Sequence, residues 1–497
     1  MNNPFLSDPA LVGKLRSYID SSEDRIIQDL KQLMSIPSIR SEAEPDMPFG
    51  AACARAVDAA AELFERSGYA TDRRGDRGYA LAHAGSGTKT VGIFCHCDVV
   101  RTDGGVWEQI EDPFCPELKN GYLIGRGARD NKGGVVAVLH ALNALRHAGI
   151  DIRNRIQVFL GGNEESGMRD VLNFKEDHPM PVFSLVPDSS LPLCRGESSD
   201  ASFVLRCDRP FARILDFFGG TTAGVCGEAT VVLPNDPTLR GELARALENC
   251  DRATLTQDAS GRLLLNAVGA TAHPATPFHS INAGGIAAGL LLRCPSLGEH
   301  DLAILRQVHG MLSEVTATYF DLANYDEVFK DLTLVIFQLS TREGRLAMTG
   351  MTHFSPSFSS ELLQEKMRGK CEQTGWSVNF RSVNPGFLMP SEHPATELIT
   401  GVYESLCREL GISKPAAPFI LKAATYARHL DNAFGIGFDL PSGQVPASFS
   451  PGHGRAHQPD ECLCIPNYKQ GLLCLALILA AVDRELDTLC PAGDAPA

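Results

Sequence analysis

Five short stretches concentrate histidine and carboxylate side chains at the ends of apolar runs. They are Cys95-His96-Cys97-Asp98, Arg129-Asp130-Asn131, Asn163-Glu164-Glu165-Ser166, Pro187-Asp188 and His453-Gly454-Arg455-Ala456-His457. In an open α/β sheet, residues at the carboxyl ends of neighbouring strands converge on one edge, and sites are built there. Together the stretches offer histidines and several carboxylates to one crevice. That donor set suits zinc, or manganese and cobalt. An adjacent Glu pair on a tight loop can divide the work, one carboxylate binding a metal while the other handles a water's proton.

Strand periodicity sharpens the first stretch. Phe94, His96 and Asp98 point one way, and Ile93, Cys95 and Cys97 the other. His96 and Asp98 can therefore share a site, with Asp98 orienting the imidazole from behind. Cys95 and Cys97 are expected to pack against a helix. Asp130 follows a glycine-rich turn, Gly125-Arg126-Gly127, and precedes a helix beginning near Lys132. On local grounds it reads as a helix N-cap, because Asp accepts the orphan amides of a first turn. His453 reads as a loop histidine.

The elements that must position these residues alternate. Residues 24–34, 51–67 and 133–148 carry apolar side chains at helical spacing, whereas 90–94, 155–160 and 182–187 read as buried strands. Such alternation predicts right-handed crossovers and an α/β fold with a mostly parallel sheet flanked by helices. After about residue 195 the texture changes to strand-like alternations interleaved with apolar helices such as 283–293. From about 386 the chain returns to helix (395–410), then loops, then a closing helix near 466–486. The expected organisation is a first domain in two parts, 1–195 and 386–497, with an α+β lid domain, 196–385, inserted between them.

Composition narrows the function classes. The 497 residues carry 45 Lys+Arg against 60 Asp+Glu, a formal charge of −15. An acidic chain is poorly suited to a phosphate-backbone partner, so no nucleic acid is expected. The longest apolar run, Leu472 to Val482, is about half of the ~20 residues a bilayer crossing needs, so no membrane partner is expected either. The N-terminal sequence shows no secretory signal. Fifteen cysteines without a compact spacing pattern point to free thiols in a reducing, cytoplasmic setting.

The combination of motifs resembles the dinuclear zinc-dependent metallopeptidase family of aminoacylases, carnosinases and bacterial PepV-type dipeptidases. The resemblance rests on His96-Cys97-Asp98-Val99-Val100, Asp112-Pro113-Phe114, Gly125-Arg126-Gly127-Ala128-Arg129-Asp130-Asn131-Lys132-Gly133, Glu164-Glu165-Ser166-Gly167, Pro187-Asp188, Gly269-Ala270-Thr271-Ala272-His273-Pro274 and Ala456-His457-Gln458-Pro459-Asp460-Glu461, in that order. The long inserted region favours the PepV-like branch. The resemblance implies two divalent ions, zinc first and manganese or cobalt next, bridged by Asp130. His96 and Asp188 would complete one, Glu165 and His457 the other. Glu164 would be the general base and Asp98 the partner of His96. His273 would be the oxyanion histidine on the inserted domain. A cis peptide after Asp130 is also implied.

Some positions depart from the family pattern. Arg101 stands where proline is common, and the stretch Leu346–Phe354 lacks the arginine that usually holds the substrate carboxylate. An asparagine expected near 219–224 is missing. Thr425-Tyr426-Ala427-Arg428 does match a family segment, which makes Arg428 a candidate for carboxylate recognition. The implied activity is hydrolysis of dipeptides or short peptides by a monomer or homodimer. The alternatives are an N-acyl-amino-acid amidohydrolase on the same centre and a non-catalytic metal-binding homologue.

Overall fold

Thr90–His96 is the strand on which the first structural unit is organised. In this computed structural model, residues 9–103, 105–220, 224–272, 274, 276–441 and 445–490 are described. They fall into two units. One comprises Met1–Gly196, Leu388–Phe419 and Ala424–Ala497, the other Glu197–Phe387 and Ile420–Ala423.

In the first unit the strands run in the order Ala70–Arg74, Tyr79–Ala84, Arg155–Gly161, Thr90–His96, Phe183–Val186, Ala433–Gly435 and Cys194–Glu197. The central four pair in parallel, and antiparallel strands close both sides. The sheet is therefore mixed, with the parallel strands at its centre and helices packed against it. Parallel neighbours need a long crossover, which the helix Lys132–His147 supplies between Thr90–His96 and Arg155–Gly161. That helix is buried almost all round, as its continuous apolar sequence demands. It shares one core with Glu23–Met34, Ala51–Arg66 and the closing helix Ile465–Leu489. Cys95 and Cys97 lie in this core as expected. Among the described residues, no helix is long and apolar enough to cross a membrane.

A small three-stranded sheet, Glu117–Lys119, Tyr122–Ile124 and Cys462–Cys464, joins two distant parts of this unit. It matters because the chain on either side of it carries Asp130 and His457.

The second unit holds an eight-stranded antiparallel sheet with helices, the α+β texture expected of the insertion. Its strands Ser199–Cys207, Thr333–Arg342, Arg345–Phe354 and Trp376–Asn384 lie in the spatial order fourth, first, third, second, the βαββαβ arrangement. The other four strands repeat that order with the chain cut elsewhere. Asp216–Gly220 and Glu228–Leu233 take the second and third places, and Ala253–Gln257 and Leu263–Val268 the fourth and first. The two halves meet through their second strands, Gly219 opposite Leu339.

Candidate metal centre

The predicted ligands come from separate loops of the first unit, most of them just past a strand end. His96 is the last residue of its strand, Asp188 follows Phe183–Val186, and Glu164 and Glu165 follow Arg155–Gly161 on a single 3-10 turn. Asp130 precedes the helix Lys132–His147, and His457 lies on the loop before Cys462–Cys464.

These residues converge. His96 Nε2 is 3.0 Å from Asp130 Oδ1 and 3.5 Å from Asp188 Oδ2. His457 Nε2 is 3.0 Å from Asp130 Oδ2 and 3.1 Å from Glu165 Oε2. Two three-residue groups thus share Asp130, each with ligand atoms close enough for one metal ion. Glu164 is buried beside them, and its Oε1 has no hydrogen-bond partner among the described residues, nor does Glu165 Oε1. Four carboxylates around two imidazoles make a partly buried negative site that cations would neutralise. The donor set and the unpartnered oxygens fit divalent metal ions.

Without cations, the electrostatics are strained accordingly. Burial, reinforced by the Asp188, Glu165 and Asp130 carboxylates, pushes Glu164 well above the usual range, although His96 pulls it down. Burial likewise pushes Glu165 up to about 7. At His457 burial works against protonation, but Asp130 and Glu165 outweigh it and hold the imidazole up at about 11.

Asp130 is not the N-cap that local reading suggests. Asn131 takes that position, with no side-chain capping bond, because its amide is used elsewhere. Asn131 Nδ2 donates to Pro187 O at 2.6 Å and to Asp188 Oδ1 at 3.0 Å, and its Oδ1 accepts from the His96 amide at 3.4 Å. The Asp130–Asn131 peptide is cis, as expected. Asp98 lies behind His96, its backbone oxygen 3.0 Å and its Oδ1 3.4 Å from Nδ1. Its two carboxylate oxygens also accept from the Glu164 and Glu165 amides at 3.0 and 3.1 Å, which fixes that turn.

Other positioning residues have no local signature. Glu461 is fully buried and accepts from Arg126 Nη1 at 2.7 Å and from the amides of Gly127, Arg129 and Asp130 at 3.1, 2.7 and 3.1 Å. Arg129 gives both terminal nitrogens to Asp439 Oδ2. The Arg126–Glu461 partners stand 335 residues apart in sequence. Periodicity within a window cannot pair them. His453, read as a loop histidine, stands 2.6 Å from Asp460, which accepts from the Glu108 and Gln109 amides. Arg428 lies on the 3-10 turn Tyr426–His429 of the same unit. His273 lies outside the described residues.

The sequence pattern of peptidase family M20/M25/M40 matches residues 92–481, a span that includes every residue of this centre. The chain belongs to that family and is a metallopeptidase. It is 27% identical over 462 residues to "Putative dipeptidase YtjP" of Bacillus subtilis (strain 168), covering 89% of this chain and 94% of that protein. The fold resembles that of human carnosine dipeptidase 1, with a TM-score of 0.58 and 17% identity over 96% of this chain and 99% of the other. It also resembles the di-peptidase Dug1p of Saccharomyces cerevisiae, with a TM-score of 0.57 and 14% identity over 95% and 98% of the two chains.

Proposed function

We propose that this metallopeptidase is a dipeptidase that binds two divalent cations. Zinc is the first choice for such nitrogen and oxygen donors, with manganese or cobalt also suited. The observation that carries the reading is the carboxylate of Asp130, one oxygen facing each histidine. His96 and Asp188 hold one cation with it, Glu165 and His457 the other. When bound, the pair would supply Lewis-acid polarisation of the scissile carbonyl and make a water acidic at neutral pH.

The chain's own groups do the rest. Glu164 accepts the attacking water's proton and passes it to the leaving amine. Asp98 fixes the His96 imidazole and the Glu164–Glu165 turn. His273 donates to the developing oxyanion. Arg428 receives the substrate carboxylate, and the inserted unit serves as a lid that excludes water. The substrate is a small peptide, and the protein acts in the cytoplasm as a monomer or homodimer. Its fifteen cysteines, most of them buried, suit a reducing compartment.

A panel of dipeptides and N-acyl amino acids, assayed with Zn, Mn and Co, tests this reading. Cleavage of unblocked dipeptides supports it. Turnover confined to N-acyl amino acids would make the protein an amidohydrolase on the same centre.

A further inference from the structure

Glu164 Oε1 touches no hydrogen-bond partner among the described residues, so the aim of this side chain is set by its backbone. That backbone is pinned from two sides. Asp98 takes the amides of Glu164 and Glu165. The amide before them, at Asn163, goes to Asp170 Oδ2 at 2.8 Å. Asp170 is fully buried at the start of the helix Arg169–Asp177, and its Oδ1 accepts from the Val171 amide at 2.8 Å. The same Oδ2 accepts the hydroxyl of Tyr426, also fully buried, at 2.5 Å.

The Tyr426 ring stands edge-on to Phe159, centroids 5.4 Å apart, and to His96 at 6.4 Å. Its approach depends on Gly161, where a Cβ would collide with both the Tyr426 hydroxyl and Asp170 Oδ2. Gly161 is the ladder partner of His96 and accepts from the Cys97 amide at 2.8 Å. A buried tyrosine–carboxylate bond gains little net stability over apolar groups of similar shape. What it adds is a fixed geometry between the His96 strand, the Glu164 turn and the segment that carries Arg428.

We propose that Tyr426 and Asp170 form a positioning pair that holds the Glu164 turn through the Asn163 amide. The inference rests on the assignment of Glu164 as base. Its test uses Tyr426→Phe, Asp170→Asn and the double variant in the full chain, loaded with zinc. Tyr426→Phe removes one oxygen and leaves Asp170 its two amide donors, so the fold is retained. Expected are a kcat on a cleaved dipeptide about tenfold lower with KM within about twofold, an unchanged metal content, and a double variant no slower than Asp170→Asn alone. Independently of activity, amide hydrogen exchange in the segment 161–167 of Tyr426→Phe should be about fivefold faster, with helix 132–147 unchanged. Wild-type exchange in that segment, or loss of metal from Tyr426→Phe, overturns the pair. Retained turnover in Glu164→Gln, or no cleavage by the wild type, instead overturns the functional assignment, and the exchange measurement then decides the pair alone.

Discussion

Asp130 Oδ1 and Oδ2 each lie 3.0 Å from a different imidazole, that of His96 and that of His457. One carboxylate therefore belongs to two ligand groups. Its removal should cost both cations, whereas removal of an outer ligand should cost one. Metal analysis is expected to give about two ions per wild-type chain, near zero for Asp130→Ala, and about one each for Asp188→Ala and Glu165→Ala. Equal losses in all three variants would mean a single-ion centre.

Glu164→Gln keeps the shape of the side chain but removes its proton acceptor. The expected result is a kcat lower by about 10²–10⁴-fold with metal content unchanged. A metal-loaded Gln variant with wild-type turnover would take Glu164 out of the reaction.

His457 would ligate only as neutral imidazole, yet without cations Asp130 and Glu165 hold its pKa at about 11. Cation binding at pH 7 should therefore release a proton, and affinity should weaken as pH falls. In the cation-free chain the pairing of protonated His457 with Asp130 stabilises the fold fully below a pH of about 6.5 and loses that contribution as pH rises through about 11. Calorimetric titration in two buffers of different ionisation enthalpy checks the first point. A binding enthalpy that ignores the buffer would refute it.

Glu461→Gln tests the buried hub beneath Asp130. Removing the carboxylate charge leaves a buried guanidinium without its counter-charge, a change that typically costs about 3–5 kcal/mol. Urea denaturation of the cation-free protein should show the loss. A shift below about 1 kcal/mol would mean that the amide replaces the carboxylate without penalty.

His273→Ala is expected to lower kcat by about 10²–10³-fold, as when an oxyanion donor is removed, without changing metal content. Loss of an ion would make His273 a ligand instead.

The strands and helices that frame the centre were legible because each is a run of apolar residues at its own period. Thr90–His96, Lys132–His147 and Arg155–Gly161 lie within a residue or two of their expected ends. The alternation of Phe94, His96 and Asp98 foretold that His96 and Asp98 would meet, and they do. Asp130 shows where local reasoning stops. A carboxylate before a helix reads as a cap, but the cap position falls to Asn131, whose amide is drawn to Pro187 and Asp188. Glu461, Asp439, Asp170 and Tyr426 lay beyond reach for a simpler reason. Each gains its meaning from a partner hundreds of residues away, and no window of sequence contains both.

The loop holding Asp130 is tied down by groups near the far end of the chain, Glu461 to Arg126 and to three amides, and Asp439 to Arg129. A ribosome makes residues 96–188, with all three acidic members of the two groups, long before it makes these. At ~5–20 residues per second the interval is on the order of tens of seconds. During that time the nascent segment carries Asp130, Glu165 and Asp188 without His457 to share them, and its two arginines without their carboxylates. A truncated polypeptide lacking the last fifty residues loses Glu461 and His457 but keeps Asp439, so this loop should be held from one side only. The order of synthesis sets the order in which the centre can close.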